Sequence, residues 1–438
     1  MYQKVSEELL TFLQRCPTAF HAVEAMREEL EEEGYEELLE GKPFCVEPGG
    51  KYYVIRNGSS IIALNLGRNL DEYGFHIAAS HSDCPTFKVK ENAEIEVKGK
   101  YTQLNTEGYG GMICSTWFDR PLSVAGRVLI KEGNALVSKL VKIDRDLLMI
   151  PSVAIHMNRK INEGYAYNKQ IDMVPLFGGV GTKKDDLKKL LAEELHVDKA
   201  DIYGSDLYLY SRMQPCVWGA NREFISSAHL DDLQCAFASL KGFLNSACEN
   251  AINVFACFDN EEVGSGTKQG AASTFLYDVL RRVNASLGKT EEDYYCALAN
   301  SFMLSADNAH AVHPNHPEKT DVGNCVYMNE GVVVKSHAGQ KYTSDAVSIA
   351  VFRALCEKAE VPVQFFANRS DEAGGSTLGN IAMSQVSVNC VDIGLAQLAM
   401  HSAYETAGVK DTYYMIRVMK EFFSTQLACD GKSIKILY

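Results

Sequence analysis

The sequence predicts an α/β fold in which a mainly parallel sheet is flanked by helices and a β-rich domain is inserted. After residue 223, helical stretches alternate with apolar strands: AINVFACF, GVVVKS, VPVQFF and VSVNCVDIG. Such strands are typical of a parallel sheet covered on both faces. Residues 89–222 show short strands (AEIEVKG, GRVLIKEG, PSVAIHM) around a charged helical stretch, KKDDLKKLLAEELHV. We therefore expect a core domain of residues 1–88 and 223–438, and an inserted domain of residues 89–222.

The chain opens with helices. Apolar residues at helical spacing, such as Val5, Leu9 and Leu13, are followed by a break at Pro17 and a second helical pattern. The segments KYYVIR, SIIALNL and FHIAAS then predict three strands, each followed by turn-forming residues. These strands precede the inserted domain, so we expect them to pair with strands that follow it. The core domain is therefore discontinuous in sequence.

The composition is that of an ordinary folded protein. Of the 438 residues, 46% are hydrophobic and 23% are charged, close to the averages for globular proteins. The formal net charge of −14 repels nucleic acid phosphates and anionic membrane surfaces. We therefore expect no nucleic acid partner and no membrane partner. An acidic ligand would need a local positive centre.

The cysteines and the N-terminus favour a cytoplasmic protein. The 13 cysteines are scattered singly and include no CxxC pair, a pattern typical of reduced thiols. The first residues, MYQKVSEELLTFLQRC, are amphipathic and charged, unlike a signal peptide. No run approaches the ~18 apolar residues of a membrane span.

Side chains that can bind metals occur at or just beyond the ends of predicted strands. They are, in chain order, His81, Glu261, Glu262, Asp307 and His401. In open α/β sheets, ligands bind beyond the carboxyl ends of strands, so we expect these side chains to converge on one crevice. Asp231, at the start of a predicted helix, can join them. Imidazole nitrogen and carboxylate oxygen are donors that zinc accepts at catalytic sites.

Two metal ions fit this set of residues. Three carboxylates and one bridging hydroxide balance the charge of two divalent ions, and Asp231 is the expected bridge at a separation of about 3.5–4 Å. Glu261 then remains beside the cluster as the general base for the metal-bound water. Singly, each residue is more often a capped or solvated polar group. However, FDNEEVGSG follows a buried strand, where its carboxylates would be costly without a cation.

Ordered motifs throughout the chain carry a family resemblance. They include PTAFHAVEAM, HSDCPTFKVK, WFDRPL, AIHMNRKINEG, LDDL, FDNEEVGSGTKQGA, SADNAHAVHPN, GQKYTSDAV, GGSTLG and QLAMHSAYE. Over nearly its full length the chain resembles the aspartyl aminopeptidases, the M18 family of zinc metallopeptidases. The resemblance implies that Glu261 is the base, that Asp231 bridges two zinc ions, and that five side chains are ligands: His81, Asp231, Glu262, Asp307 and His401.

The resemblance also implies roles for four further residues. Asp83 is expected to orient His81, as metal-bound imidazoles commonly require. His156 is expected to enter the active site of a neighbouring subunit, although it could instead be a core histidine on the strand SVAIHM. Lys335 and Tyr342 are expected to contact the first side chain and the backbone of the substrate. Lys335 would then attract an acidic first residue, despite the net charge of −14; the alternative is a solvated lysine at a strand end.

The family further implies an assembly and a substrate class. Residues 89–222 are expected to form a dimerisation domain, and dimers to build a tetrahedral dodecamer that encloses the active sites. The substrates would be peptides with a free N-terminus, preferably with Asp or Glu first, and Co²⁺ or Mn²⁺ could replace Zn²⁺. Related two-zinc peptidases also suggest a cis peptide bond between Asp231 and Asp232.

Three other functions remain open from the sequence. The same scaffold could carry a broad aminopeptidase that prefers Leu or Met, or a deacylase. It could also be a catalytically silent assembly or cargo protein, but the presence of the base and all five ligands argues against this. Activity on aspartyl, leucyl and N-acetylated substrates would separate these alternatives.

Overall fold

The computed structural model describes residues 1–429 and 433–437. The chain folds into two compact units. The first contains Met1–Asp83, Pro215–Met400 and Glu405–Tyr438, and the second contains Cys84–Gln214 and His401–Tyr404. The first unit is therefore assembled from segments that lie far apart in sequence.

The first unit is built around a mixed sheet of nine strands. In spatial order these are Glu36–Glu37, Lys51–Arg56, Ser60–Leu66, Ile252–Phe258, Phe75–His81, Phe302–Ala306, Asn389–Gly394, Val332–Lys335 and Val363–Phe366. Within the described residues, five pairings are parallel and three are antiparallel. The predicted α/β fold with a mainly parallel sheet is confirmed.

Helices cover both faces of this sheet. Along the strand Ile252–Phe258, Phe255 and Cys257 belong to one hydrophobic core, whereas Val254 and Ala256 belong to a second core. This alternation is the two-residue period of a strand buried on both faces. The helices of the first unit are Tyr2–Arg15, Ala19–Glu32, Leu230–Leu244, Phe275–Ser286, Glu291–Ala299, Ala346–Lys358, Leu378–Ala382 and Asp411–Ser424.

Two smaller sheets complete the first unit. One has five strands in the order Cys216–Trp218, Phe224–Ser227, Glu405–Gly408, Ala396–Leu398 and Ala309–His310. The other pairs Gln426–Cys429 with Ile434–Leu437. Among the described helices, none has the length and apolar character needed to cross a bilayer.

The second unit contains an antiparallel sheet and one α-helix, Asp186–Leu195, within its described residues. The strands, in spatial order, are Ala135–Lys142, Leu122–Glu132, Ile202–Ser211, Thr86–Val97, Tyr101–Tyr109 and Leu176–Gly178. The predicted β-rich character and the predicted helix both appear here. Buried aromatic residues such as Phe87 and Trp117 lie in its core.

One strand predicted for this region is wrong. Residues 151–157, PSVAIHM, form no strand, and the N–H groups of Met157 and Asn158 donate to the carbonyl of Ala154 in a turn. Val153, Ile155 and Met157 are 53%, 49% and 82% exposed. These three apolar side chains alternate as in a half-buried strand, but they are not packed in the core of their own unit.

Candidate metal centre

Three neighbouring strands place candidate ligands at the same edge of the large sheet. Phe75–His81 pairs in parallel with Ile252–Phe258 on one side and with Phe302–Ala306 on the other. His81 ends the first strand, and Asp307 directly follows the third. Glu261 and Glu262 lie in a short 3-10 turn just beyond the second. The carboxyl ends of parallel strands meet at one edge, so these residues are brought together.

Asp231 reaches the same edge from the start of the helix Leu230–Leu244. Asp231 and Asp232 have non-helical dihedral angles, and the peptide bond between them is cis. The predicted cis bond is therefore present. The main-chain N–H of Asp231 donates to the buried Glu405 carboxylate, with N and Oε2 3.0 Å apart.

The buried imidazole of His81 is held in one orientation. Its Nδ1 donates to the main-chain carbonyl of Asp83 at 3.0 Å, which places the lone pair of a neutral ring on Nε2. This Nε2 lies 3.8 Å from Asp231 Oδ1 and 4.0 Å from Asp307 Oδ1. Ligand atoms of these three residues lie within 4.8 Å of one another, as do those of His81, Glu261 and Glu262.

Asp83 connects His81 to the glutamate pair. Its carboxylate accepts hydrogen bonds from the main-chain N–H groups of Glu261, at 3.0 Å, and Glu262, at 3.2 Å. The same carboxylate lies 3.5 Å from His81 Nδ1, farther than the Asp83 carbonyl. Asp83 thus contacts His81 through its main chain and fixes the turn that carries Glu261 and Glu262.

The carboxylates of this edge repel one another. Burial raises the pKa of Glu261 to about 8, and the charge of Asp307 adds to the increase. Burial likewise raises the pKa of Asp307, and that of Asp232 well above its ordinary range. For His81, burial opposes protonation, but the hydrogen bond to Asp83 and the charge of Asp232 hold the pKa well above its ordinary value. This buried negative charge fits a bound cation, and imidazole and carboxylate donors fit zinc.

Lys335 is buried beside Asp307, and Tyr342 is buried beside Lys335. Lys335 Nζ donates to the main-chain carbonyl of Asn308 at 3.1 Å and lies 3.5 Å from Asp307 Oδ2. It also lies 5.4 Å from the centre of the Tyr342 ring. Burial opposes the charge of Lys335, but Asp307 holds its pKa above the ordinary value. Lys335 is therefore a buried cation rather than a solvated lysine at a strand end.

Two predicted site residues belong to the second unit. His401 Nδ1 donates to the Gly111 carbonyl at 2.7 Å, so a neutral ring carries its lone pair on Nε2. A second hydrogen bond joins the Ile113 N–H to the His401 carbonyl at 2.9 Å. His156 is exposed in the turn at residues 151–157 and is not a core histidine. The roles of both residues remain predictions.

Several buried polar residues at this edge were not predicted. Asp232 accepts a hydrogen bond from the His81 N–H at 3.1 Å. Asn308 donates to Gln397 Oε1 at 2.8 Å and to Gln234 Oε1 at 3.1 Å. The motifs LDDL, SADNAH and QLAMHSAYE contain Asp232, Asn308 and Glu405, but their hydrogen bonds cross between distant segments. Asp392 is another buried polar residue that was not predicted. Its position as a charged residue within the apolar run VNCVDIG could have indicated it.

A sheet whose strand ends gather buried histidine and carboxylate ligands is the arrangement of a metal-dependent hydrolase. The model of one family, described as "Aminopeptidase I zinc metalloprotease (M18)", matches residues 12–423. The chain belongs to this M18 family. It is accordingly a zinc-dependent aminopeptidase, a hydrolase that acts on peptides.

Relatives match along almost the whole chain. A probable M18 family aminopeptidase 2 of Clostridium novyi (strain NT) is 48% identical over 427 residues, which cover 96% of this chain and 99% of the relative. A chain in the cryo-EM structure of the Ape4 and Nbr1 complex has a TM-score of 0.93 and 34% identity, over 96% of this chain and 86% of that one. A chain of the S. cerevesiae mApe1 dodecamer has a TM-score of 0.84 and 27% identity. The match covers 96% of this chain and 97% of that one.

Proposed function

We propose that the protein removes the N-terminal residue of peptides with two zinc ions per subunit and prefers Asp or Glu as that residue. The observation that carries the proposal is the convergence of His81 Nε2 with the carboxylates of Asp231 and Asp307, next to Glu261. His81 and Asp307 would hold one ion, and Glu262 and His401 the other. Asp231 would bridge the two.

The chain's own residues supply the proton transfers of the reaction. When bound, the zinc ions would polarise the scissile carbonyl and lower the pKa of a water molecule. Glu261 accepts the proton of this water as its oxygen attacks the carbonyl carbon. The same carboxyl then gives the proton to the departing nitrogen as the C–N bond breaks. A carboxyl partly shielded from solvent is suited to both steps, and Asp83 fixes the turn that carries it.

The preference for an acidic first residue rests on Lys335. The protein has a net charge of −14, so its overall electrostatic field repels the carboxylate side chain of an acidic substrate. An ammonium group has three donors, and the Asn308 carbonyl takes one of them. A substrate carboxylate at another donor would form a charge-assisted hydrogen bond, about twice as strong as a neutral one. Tyr342, beside Lys335, would contact the substrate backbone.

We also propose that each active site is completed by a neighbouring subunit. His156 lies in an exposed turn whose apolar side chains, Val153, Ile155 and Met157, are left in solvent by a single chain. Exposed apolar groups of this kind mark contact surfaces. In the proposed assembly residues 89–222 form the dimer contact, and His156 donates to the oxyanion in the partner's site. The dodecamer of a relative supports a dodecamer built from such dimers.

The proposed location is the cytoplasm. The twelve cysteines whose side chains the structure describes form no disulfide bond with one another. Five of them are buried, and burial raises the pKa of thiols such as Cys257 and Cys390. Protonated, buried thiols are suited to a reducing compartment.

Two measurements test the proposed function together. Metal analysis of purified protein should find two zinc ions per chain, and activity lost on chelation should return with Zn²⁺, and to some degree with Co²⁺ or Mn²⁺. A panel of Asp, Glu, Leu, Met and N-acetylated aminoacyl substrates should show the highest kcat/KM for Asp or Glu. Higher values for Leu or Met would reject the acidic preference, activity on N-acetylated substrates would indicate a deacylase, and an inactive metal-loaded protein would indicate an assembly role.

A further inference from the structure

Asp392 is a fully buried carboxylate that the catalytic steps above do not use. It lies in the strand Asn389–Gly394, opposite Ser305 of the parallel strand that leads to Asp307. On the other side this strand pairs with Val332–Lys335, which ends in the buried lysine. Asp392 is therefore located between the strands that carry Asp307 and Lys335.

The two carboxylate oxygens of Asp392 hold two different loops. Oδ2 accepts hydrogen bonds from the main-chain N–H of Thr343 and from its hydroxyl, the latter at 2.8 Å. Oδ1 accepts the hydroxyl of Thr377 at 2.7 Å. In addition, the N–H of Asp392 donates to Ser344 Oγ at 2.9 Å. Through these hydrogen bonds the buried carboxylate joins the loop at Thr343 to the loop at Thr377, which lies more than thirty residues further along the chain.

The first loop lies beside Lys335, and the second loop is packed against Asp392 and joined to the first. Tyr342, the residue before Thr343, has its ring 5.4 Å from Lys335 Nζ. Where the second loop enters the helix Leu378–Ala382, packing is so tight that a Cβ at Gly379 would lie 2.7 Å from Ser305 Oγ and 3.0 Å from Asp392 Oδ1. The loops are also joined directly, since Lys341 Nζ donates to the Ala373 carbonyl at 2.7 Å.

We propose that Asp392 is a positioning residue that locks residues 342–344, a wall of the pocket for the substrate's first residue, to residues 374–379. This inference rests on the proposed aminopeptidase function and adds a specificity element to it. Asp392 itself touches neither the substrate nor the metal ligands in this scheme. Its loss should therefore loosen substrate binding and leave the metal bound.

The main test is Asp392→Asn, which keeps the shape but replaces one acceptor oxygen with an NH₂ group. One of the two loops then faces a donor instead of an acceptor. Hydrogen bonds to charged groups are worth enough for KM to rise about 10- to 100-fold on the preferred aminoacyl substrate. We expect kcat to change less than KM and the zinc content to stay normal. Amide hydrogen exchange should become faster in residues 342–344 and 374–379 together.

The matched control is Asp411→Asn. Asp411 is also a fully buried carboxylate, and it accepts main-chain hydrogen bonds from Asn329, at 2.6 Å, and Gly331, at 3.1 Å. We expect this control to leave KM and the exchange of the two loops unchanged. If Asp392→Asn fails to fold, Thr343→Val and Thr377→Val test the positioning role instead, because each removes one hydroxyl that donates to Asp392. Each should raise KM, and Thr343→Ser and Thr377→Ser, which keep the hydroxyl, should restore it.

The results separate this inference from the proposed function. Unchanged KM and unchanged exchange in folded Asp392→Asn, or effects equal to those of Asp411→Asn, would overturn the positioning role. Valine variants with normal KM would overturn it as well. Hydrogen exchange requires no turnover, so it decides on Asp392 even if the protein hydrolyses no aminoacyl substrate. A protein that hydrolyses no aminoacyl substrate would reject the proposed function but not the role of Asp392 in holding the two loops.

Discussion

The ammonium group of Lys335 lies 3.5 Å from Asp307 Oδ2, and both side chains are buried. A cation in this position can stabilise the charge of the proposed ligand Asp307, bind an acidic substrate, or do both. Lys335→Gln should lower kcat/KM for an aspartyl substrate about 10- to 100-fold, because a charge-assisted hydrogen bond is lost. The value for a leucyl substrate should change much less.

Steady-state kinetics with both substrates measures this difference. Lys241→Gln is the control, since Lys241 pairs with Glu29 at 2.7 Å instead of with a site residue. Equal losses for the aspartyl and leucyl substrates would mean that Lys335 acts on Asp307 and does not select the substrate.

Glu261→Gln should keep both zinc ions and lose turnover. Glutamine has the size of glutamate but cannot accept the proton of the attacking water, and general acid–base catalysis contributes about 10²–10⁴-fold. The neighbouring Glu262→Gln should instead lose zinc, because Glu262 is the proposed ligand. Metal analysis and single-turnover kinetics on both variants distinguish the two roles. Near-normal turnover in zinc-loaded Glu261→Gln would show that another group is the base.

Zinc removal should destabilise the fold. The carboxylates of Asp231 and Asp307 are buried close together, with the partly buried Glu261 on the other side of His81, and without a cation their repulsion opposes folding. A ligand that binds only the folded state at 100 times its Kd adds about 2.7 kcal/mol of stability. Differential scanning fluorimetry of chelated protein should therefore show Tm rising with added zinc. The increase should disappear in Asp231→Asn; an equal increase there would exclude Asp231 as a ligand.

Oligomers that contain two different inactive variants test whether the active site is shared between subunits. His156→Ala should lower turnover about 10²–10³-fold, the usual effect of losing one oxyanion donor, without loss of zinc. A His156→Ala chain keeps its own metal ligands, and a Glu261→Gln chain keeps its own His156. Co-expressed, the two variants should recover part of the activity, because some sites combine an intact Glu261 with a donated His156. Verified mixed oligomers as inactive as either parent would disprove the shared site.

A separate prediction concerns His76, which is fully buried and packs against Phe422 with ring centres 5.5 Å apart. Burial lowers the pKa of His76 to about 4. Between about pH 6.5 and 4 the unfolded chain therefore binds a proton that the folded chain does not. The contribution of the neutral ring to stability is complete above pH 6.5 and is lost as the pH falls, by up to about 1.4 kcal/mol per pH unit.

His76→Phe removes this titration. Relative to the wild type, the variant should gain about 1.6 kcal/mol in free energy of unfolding as the pH falls from 6.5 to 5. Urea unfolding of the metal-free proteins at both pH values measures the change without interference from zinc release. A difference that is the same at both pH values would show that His76 does not titrate in this way.

The sequence by itself determined the layers of the core and the sheet edge at which the candidate ligands His81, Asp231 and Asp307 gather. Runs such as AINVFACF are apolar on both faces, which only a sheet covered on both sides can bury, and ligand-type residues follow the strands of that sheet. The cis bond at Asp231-Asp232 and the fold class were also predicted, the former through the family resemblance. For the strands and the ligand-type residues at their ends, local patterns are sufficient because each pattern depends on residues adjacent in the chain.

Only the tertiary structure decided the contacts between distant segments. Asp392 and Thr377, Asp231 and Glu405, and Lys335 and Asp307 are joined by hydrogen bonds or ion pairs that no spacing within one segment encodes. The segment PSVAIHM shows the converse: its apolar residues predicted a strand, yet Val153, Ile155 and Met157 are exposed. Burial is a property of the assembled molecule. The same apolar pattern can therefore form a core strand or an exposed turn, depending on what the rest of the fold packs against it.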